Sequence, residues 1–297
     1  MPEVRTWDGS SYDRISAPME ELGRGVLARL PLRGDELVLD AGCGSGRITE
    51  ALLERLPRGR AIAVDASASM VEAASKRLER FAATGANGAR VEVVLADLLE
   101  LDLGEPLDAV LSTATFHWIA DHDALFGRLH AALRPGGRLI AQCGGEGNIN
   151  GLRGRAGKVL EREPFAEHFR TWRPLWNYAG AEQTRERLLR AGFAEARCWS
   201  EDAPKRPEQP REFLSQIVLG PHGGQVDRPL REGDHLGVAD HEPEPRIDEP
   251  DEQRLEPVRG LVQHDHVLVA DPAEDTRDHP GVGPEDQNHQ RPLKNWK

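Results

Sequence analysis

Apolar positions along the first two thirds of the chain alternate between two periods. From Ala17 to Leu30, Met19, Leu22, Val26 and Leu30 share one side of a 3.6-residue helix. Glu36–Asp40 (ELVLD) then reads as a short buried strand. A glycine turn, Gly42–Gly46, leads into a helix over Arg47–Leu56 with Ile48, Leu52 and Leu56 on one face, stopped by Pro57 and Gly59. The cycle repeats with a strand at Arg60–Asp65 and a helix at Ser69–Ala82, where Met70, Ala73, Ala74, Leu78 and Phe81 point inward. Strands follow at Arg90–Ala96 and Leu107–Ser112, a helix at His122–Leu133, and a strand at Arg138–Cys143. Strands and helices alternating at this spacing predict an α/β fold. Its doubly wound, mostly parallel sheet is covered by helices on both faces and binds ligands at the carboxyl ends of its strands.

The pattern thins after Cys143. Residues 144–180 read as a glycine-rich loop plus a helical stretch holding Phe165, Phe169, Trp172 and Trp176. A helix at Ala181–Ala191, a strand at Phe193–Ser200 and a helix at Pro210–Leu219 follow. From Pro221 periodicity lapses: the last 77 residues hold ten prolines and seven of the eleven histidines, and only His266–Ala270 (HVLVA) reads as a short strand. Such a stretch buries too little apolar surface to offset its ordering entropy. The expected organisation is one domain over 1–220 and a disordered tail over 221–297. The abrupt break fits a shift of reading frame entered near His222.

Composition agrees with that division. Fourteen of the fifteen aromatic residues precede Gly220. The tail carries 18 acids against 9 bases, and the rest of the chain 32 against 29. Neither part offers the basic face that nucleic acid requires. Cys43, Cys143 and Cys198 are too few and too scattered for a disulfide framework or a zinc site, so no metal is expected. The tail histidines have no firm ligand spacing. With no apolar leader at its start and no apolar run near 20 residues, the chain is expected to be cytoplasmic, off the membrane, and a monomer or homodimer.

The chemistry concentrates in Val38–Arg47, VLDAGCGSGR, at the join of strand and helix. A glycine turn there lets a ligand lie against the backbone. Gly46 is followed by Arg47-Ile48 where a phosphate loop needs Lys-Ser/Thr, so that class fails. A dinucleotide fingerprint fails as well: counted from Gly42 or from Gly44, the third glycine position holds Arg47 or Thr49. Asp65 ends the next strand, where an acid can accept both hydroxyls of a ribose. It could equally serve, with Ser67 and Ser69, to cap the helix that follows.

The series Asp40-x-Gly42-x-Gly44-x-Gly46, followed by Asp65, by LADL at Leu95–Leu98, by LDAVLSTATFHW at Leu107–Trp118 and by LRPGGRL at Leu133–Leu139, resembles the class I S-adenosylmethionine-dependent methyltransferases, with their Rossmann-like fold. FHWIADHDALF at Phe116–Phe126 and WNYAGAEQTRERLLRAGF at Trp176–Phe193 are similar to the trans-aconitate 2-methyltransferase-like group. The resemblance implies S-adenosylmethionine as cofactor and a small-molecule methyl acceptor. It implies a cofactor site of Asp40, Gly42, Gly44, Gly46, Asp65, Ala66, Ser67, Met70, Ala96, Asp97, Leu98, Ser112, Thr113 and Trp118. Within that site Asp65 would hold the ribose and Asp97 the adenine amino group, with Met70 and Leu98 on the ring. His117 and Tyr12 are the catalytic candidates.

A carboxylate acceptor is already anionic and needs a clamp, for which Arg14, Arg153, Arg170, Arg173 and Tyr178 are also candidates. A hydroxyl or amine acceptor needs a base, and His117 is the first choice. A structural role for His117, and packing for Trp118, are the competing readings. A non-catalytic S-adenosylmethionine-binding module is the alternative to an enzyme.

Overall fold

The structure is a computed structural model that describes residues 17–82, 90–163, 166, 176–202 and 264–272. Seven strands form one sheet: β1 Leu37–Ala41, β2 Arg60–Asp65, β3 Val91–Leu95, β4 Leu107–Thr113, β5 Leu133–Gly144, β6 Phe193–Asp202 and β7 His264–Pro272. Their order is β3-β2-β1-β4-β5-β7-β6. The first five run parallel, and β7 is antiparallel to both β5 and β6. The helices are α1 Ala17–Arg29, α2 Arg47–Glu54, α3 Ala68–Ala82, α4 His122–Ala132, α5 Asn150–Leu160 and α6 Ala181–Ala191. The chain runs outward from β1 in one direction through β2 and β3 and in the other through β4 and β5, so β1 and β4 flank the switch point.

Alternation along the strands builds two cores. Val38, Ala61, Ala63, Ala109, Leu111 and Ile140 face α1, α2 and α3, which contribute Val26, Leu27, Ile48, Leu52 and Leu78. Leu39, Ile62, Val64, Val110, Leu139 and Ala141 face α4 and α6, which contribute Leu125, Phe126, Leu129 and Leu188. Central strands buried on both faces cannot show a polar side, which is why they read as unbroken apolar runs. Leu52 and Leu39 are fully buried, and each such side chain stabilises by about 1.5–3 kcal/mol.

Beyond β5 the described residues cover the expectations only in part. The helical stretch placed around Phe165–Trp176 lies mostly outside the described residues, and Trp176 itself is in irregular chain. A helix that the pattern did not predict, α5, lies before that stretch and buries no side chain. The tail is not wholly without structure, since β7 covers His264–Pro272 and includes the HVLVA run. The helix expected at Pro210–Leu219 and the rest of the tail lie outside the described residues. Among the described residues, no helix is long and apolar enough to cross a membrane.

Candidate active site

β1 ends at Asp40-Ala41 and the chain turns at once into α2. Gly42, Gly44 and Gly46 have φ of 82°, 54° and 82°. At Gly42 a side chain is barred twice, by that φ and by Thr115, whose methyl a Cβ would meet at 2.2 Å. At Gly44 nothing lies within 4 Å of where a Cβ would stand, so the bare backbone borders open space. The turn is pinned to β2. The N–H groups of Gly42 and Cys43 donate to the Val64 carbonyl at 2.8 and 2.9 Å. Gly44 N–H donates to Asp65 Oδ2 at 2.9 Å. The other carboxylate oxygen of Asp65 accepts the Ser67 N–H at 2.9 Å, closing a turn into α3. Asp65 therefore performs the local task that competed with ligand binding, and still has lone pairs to spare. Burial raises its pKa above the ordinary carboxylate value, opposed by the backbone N–H groups of Ser67, Gly44 and Ala66.

Asp40 sits below the turn, 1% exposed. Its Oδ2 accepts the Thr49 hydroxyl at 2.6 Å, while Oδ1 is buried with no partner. Burial raises its pKa to about 6; the Thr49 hydroxyl pulls the other way and the Asp65 charge adds to the rise. Two carboxylates held above their ordinary range form a place that a cation or a set of hydroxyl donors would relieve.

At the end of β3, Ala96 N–H donates to the Asp65 carbonyl at 3.1 Å. Asp97 is exposed, and its Oδ1 accepts the Leu99 N–H at 2.9 Å. Met70 and Leu98 are buried, at 3% and 5% exposure, and Ala66 is exposed. Ser112, one of the residues expected in the cofactor site, is buried, and its hydroxyl donates to the Ala41 carbonyl at 2.6 Å, fastening β4 to β1. Thr113 is half-buried beside it. The motifs gave no sign of Thr115, whose hydroxyl donates to the carbonyls of Gly42 and Thr113 at 3.2 and 2.9 Å. It joins the glycine turn to the end of β4.

Phe116–Trp118 forms a single 3₁₀ turn beyond β4. It brings His117 and Trp118 beside Trp176 and Tyr178. Ring centroids lie 5.6 Å apart for His117–Tyr178, 6.4 Å for Trp118–Trp176, and 5.8 Å for the stacked Trp176–Tyr178 pair. Asn177 clips that strip down, its N–H donating to the His117 carbonyl at 2.8 Å and its amide to Ala120 at 2.9 Å. His117 Nδ1 accepts the Gly144 N–H at 3.1 Å. A backbone N–H can only donate, so Nδ1 carries no hydrogen and the neutral ring holds its hydrogen on Nε2. Nδ1, engaged in this way, is not the nitrogen that would take up a proton. Beneath the turn, buried His122 lies 2.9 Å from the Phe116 carbonyl and 3.2 Å from Arg187. Burial lowers its pKa, against the pull of the Phe116 carbonyl.

The expected residues thus fall into two groups. Asp40, Gly42, Gly44, Gly46, Asp65, Ala66, Ser67, Met70, Ala96, Asp97 and Leu98 gather at the ends of β1, β2 and β3. Thr113, His117 and Trp118 gather at the ends of β4 and β5. Of the expected clamps, Arg153 lies on α5 and Tyr178 beside His117, while Tyr12, Arg14, Arg170 and Arg173 lie outside the described residues.

Comparison with known proteins agrees with this geometry. Residues 38–137 match the family described as a methyltransferase domain. A trans-aconitate 2-methyltransferase of Azoarcus sp. (strain BH72) is 36% identical over 137 residues, covering 46% of this chain and 50% of that one. A protein of the same name from Paracidovorax citrulli is 35% identical over 141 residues, 47% of this chain and 50% of that one. The chain thus spans about half the length of the curated relatives it matches. Among solved structures, Haemonchus contortus phosphoethanolamine N-methyltransferase 2, in complex with phosphomonomethylethanolamine and S-adenosylhomocysteine, superposes with a TM-score of 0.54 at 18% identity, covering 90% of this chain and 57% of that one. That likeness establishes the fold.

Proposed function

We propose that the chain, whose residues 38–137 match the methyltransferase domain family, transfers a methyl group from S-adenosylmethionine to a carboxylate oxygen of a small molecule, giving a methyl ester. The residues at the ends of β1–β3 suit that cofactor. The bare backbone at Gly44 leaves room for its amino acid tail, and the orphaned Oδ1 of Asp40 suits a cationic end. Asp65 would hold the ribose hydroxyls and Asp97 the adenine amino group, with Met70 and Leu98 beneath the ring. When bound, the cofactor supplies a methyl group made electrophilic by the sulfonium charge.

The chain's own task is to place the acceptor in line with that methyl group and keep water out. Trp118, Trp176 and Tyr178 supply apolar surface for the second part. One observation carries the choice of a carboxylate: Gly144 N–H occupies His117 Nδ1. With Nδ1 engaged, a neutral His117 does not take a proton there from a hydroxyl or amine, which favours an acceptor that is already anionic. The name shared by the curated relatives supports the same chemistry.

Labelled S-adenosylmethionine and a panel of di- and tricarboxylic acids test the reading. The expected product is a base-labile ester, formed at a rate that is flat with pH across the neutral range because no base must lose a proton. A base-stable product formed faster as pH rises would sink the carboxylate reading. Tight cofactor binding with no transfer to any acceptor would leave a binding module.

A further inference from the structure

His122 is a buried titratable group with no part in the cofactor site or the transfer step described above. It is the first residue of α4 and is 3% exposed. Both of its ring nitrogens are engaged, and the partners fix its state. The Phe116 carbonyl, 2.9 Å from Nε2, can only accept; the Arg187 guanidinium, 3.2 Å from Nδ1, can only donate. His122 is therefore neutral, with its hydrogen on Nε2 and a lone pair on Nδ1. A second proton would set an N–H against the N–H of Arg187.

The places of these partners give the ring a task. Phe116 roots the 3₁₀ turn. Its side chain is 1% exposed and stands edge-on to Phe126 at 5.8 Å, whereas the next two side chains, His117 and Trp118, stand beside Trp176 and Tyr178. The Phe116 carbonyl belongs to the peptide unit that leads into His117. It accepts the Ile119 N–H at 2.9 Å, which closes the turn, and gives its other lone pair to His122. Arg187 lies on α6, which is capped by Gly180, two residues beyond Tyr178. Arg187 is itself steadied by Asp123 at 3.5 Å. One ring thus ties together the two segments that carry the aromatic cluster.

We propose that His122 is a positioning residue for methyl transfer: in its neutral state it couples the turn bearing His117 and Trp118 to the helix that follows Trp176 and Tyr178, and uptake of a proton releases that coupling. The inference rests on the carboxylate reading above, which puts the acceptor beside these aromatic residues. Small displacements of groups that align an acceptor are costly to the transfer step even when the cofactor site is intact. Burial holds the ring neutral by lowering its pKa. The Phe116 carbonyl opposes that, Arg187 on α6 reinforces it, and Asp123 and Asp121 at the start of α4 oppose it. Asp123 is also paired with Arg190 of α6 at 2.8 Å.

The test uses the whole chain, saturating labelled S-adenosylmethionine, and the di- or tricarboxylic acid that yields most ester. His122→Phe keeps a ring and removes both hydrogen bonds. It is expected to lower kcat/KM for the acid about 3- to 10-fold, with the S-adenosylhomocysteine Kd within about twofold. His122→Gln, whose amide can donate to Phe116 and accept from Arg187, is expected to restore most of that loss at pH 7. Wild-type kcat/KM should fall as pH drops below 6.5, the ordinary histidine value. The glutamine variant, which does not titrate, should lack that part of the fall, since ionisation of the acid itself affects both proteins alike. If His122→Phe also loses S-adenosylhomocysteine binding, it is misfolded and the pH profile of the glutamine variant decides. An unchanged kcat/KM in a folded His122→Phe, or the same acid limb in wild type and His122→Gln, overturns the proposal. Absence of ester from every acid brings down the carboxylate reading alone. The coupling is then read by hydrogen exchange at the Ile119 amide, expected at least about threefold faster in His122→Phe with the Leu52 amide of α2 unchanged; equal exchange at Ile119 overturns it.

Discussion

At the ends of β1 to β3 the candidate site is built of backbone and carboxylates from one stretch, residues 40–98. At the ends of β4 and β5 it is built of side chains from three separated stretches, 112–118, 144–149 and 176–178. The first group is fixed by a tight turn and by neighbours paired in the sheet: Gly44 to Asp65, Asp65 to Ala96. The second is fixed by long-range contacts such as Gly144 to His117 and Asn177 to the His117 carbonyl. A half made of backbone can change little without unmaking the fold, whereas a half made of side chains can change its ligand at little cost to the scaffold.

Substitutions should separate the two halves. The largest effect is expected at Asp65. Asp65→Ala removes a carboxylate and strands the N–H groups of Gly44 and Ser67, and calorimetry should show S-adenosylhomocysteine binding weakened at least about 100-fold, at a charged hydrogen bond's worth of about 1.5–3 kcal/mol each. His117→Ala should be the mirror image: kcat falls about 10- to 100-fold, while the Kd for S-adenosylhomocysteine moves less than about threefold. A parallel loss in both readouts would erase the distinction between the halves.

Asp40 sharpens the picture through pH. Its folded pKa of about 6 stands above the ordinary 3.8, so the folded state binds the extra proton between those values. Stability of the free protein should then fall as pH rises from 4 through 6, by at most about 3 kcal/mol, and stay low above that range. A cationic ligand favours the ionised form, so its affinity should rise over the same interval, at most about tenfold per pH unit. Asp40→Asn should flatten both curves, by thermal melts and titration calorimetry. The smallest effect is expected at Thr115, where Thr115→Ala deletes one hydroxyl linking the halves and should weaken cofactor binding only a few-fold, about 1 kcal/mol.

Most of the sheet was legible because its strands are buried on both faces and its helices show an apolar side. The glycine turn and Asp65 were legible for a related reason: spacing along the chain is nearly spacing in space there. α5 escaped notice because its sequence, NGLRGRAGKVL, has glycines at 151, 154 and 157 and no apolar face to count. Asn148 lies in the glycine-rich stretch before it, and nothing local marks its approach to Gly144. A hydroxyl at a strand end, such as that of Ser112, looks the same in sequence whether it meets a ligand or a neighbouring carbonyl, and here it donates to the Ala41 carbonyl. The helix-cap and ligand readings of Asp65 could not be separated by pattern, and the geometry makes them compatible.

β7 is taken from far along the chain, yet it lies between β5 and β6 and pairs Asp265 with Gly144 and His266 with Cys143. The strand that braces the His117 anchor is therefore the last of the sheet to leave the ribosome. Until residue 272 has emerged, β5 has no partner on one flank and β6 none at all. A nascent chain can close the glycine turn early, but it cannot flank the end of β5 on both sides until residue 272 has emerged, and a stop anywhere between β6 and β7 would leave two sticky edges for a chaperone to guard.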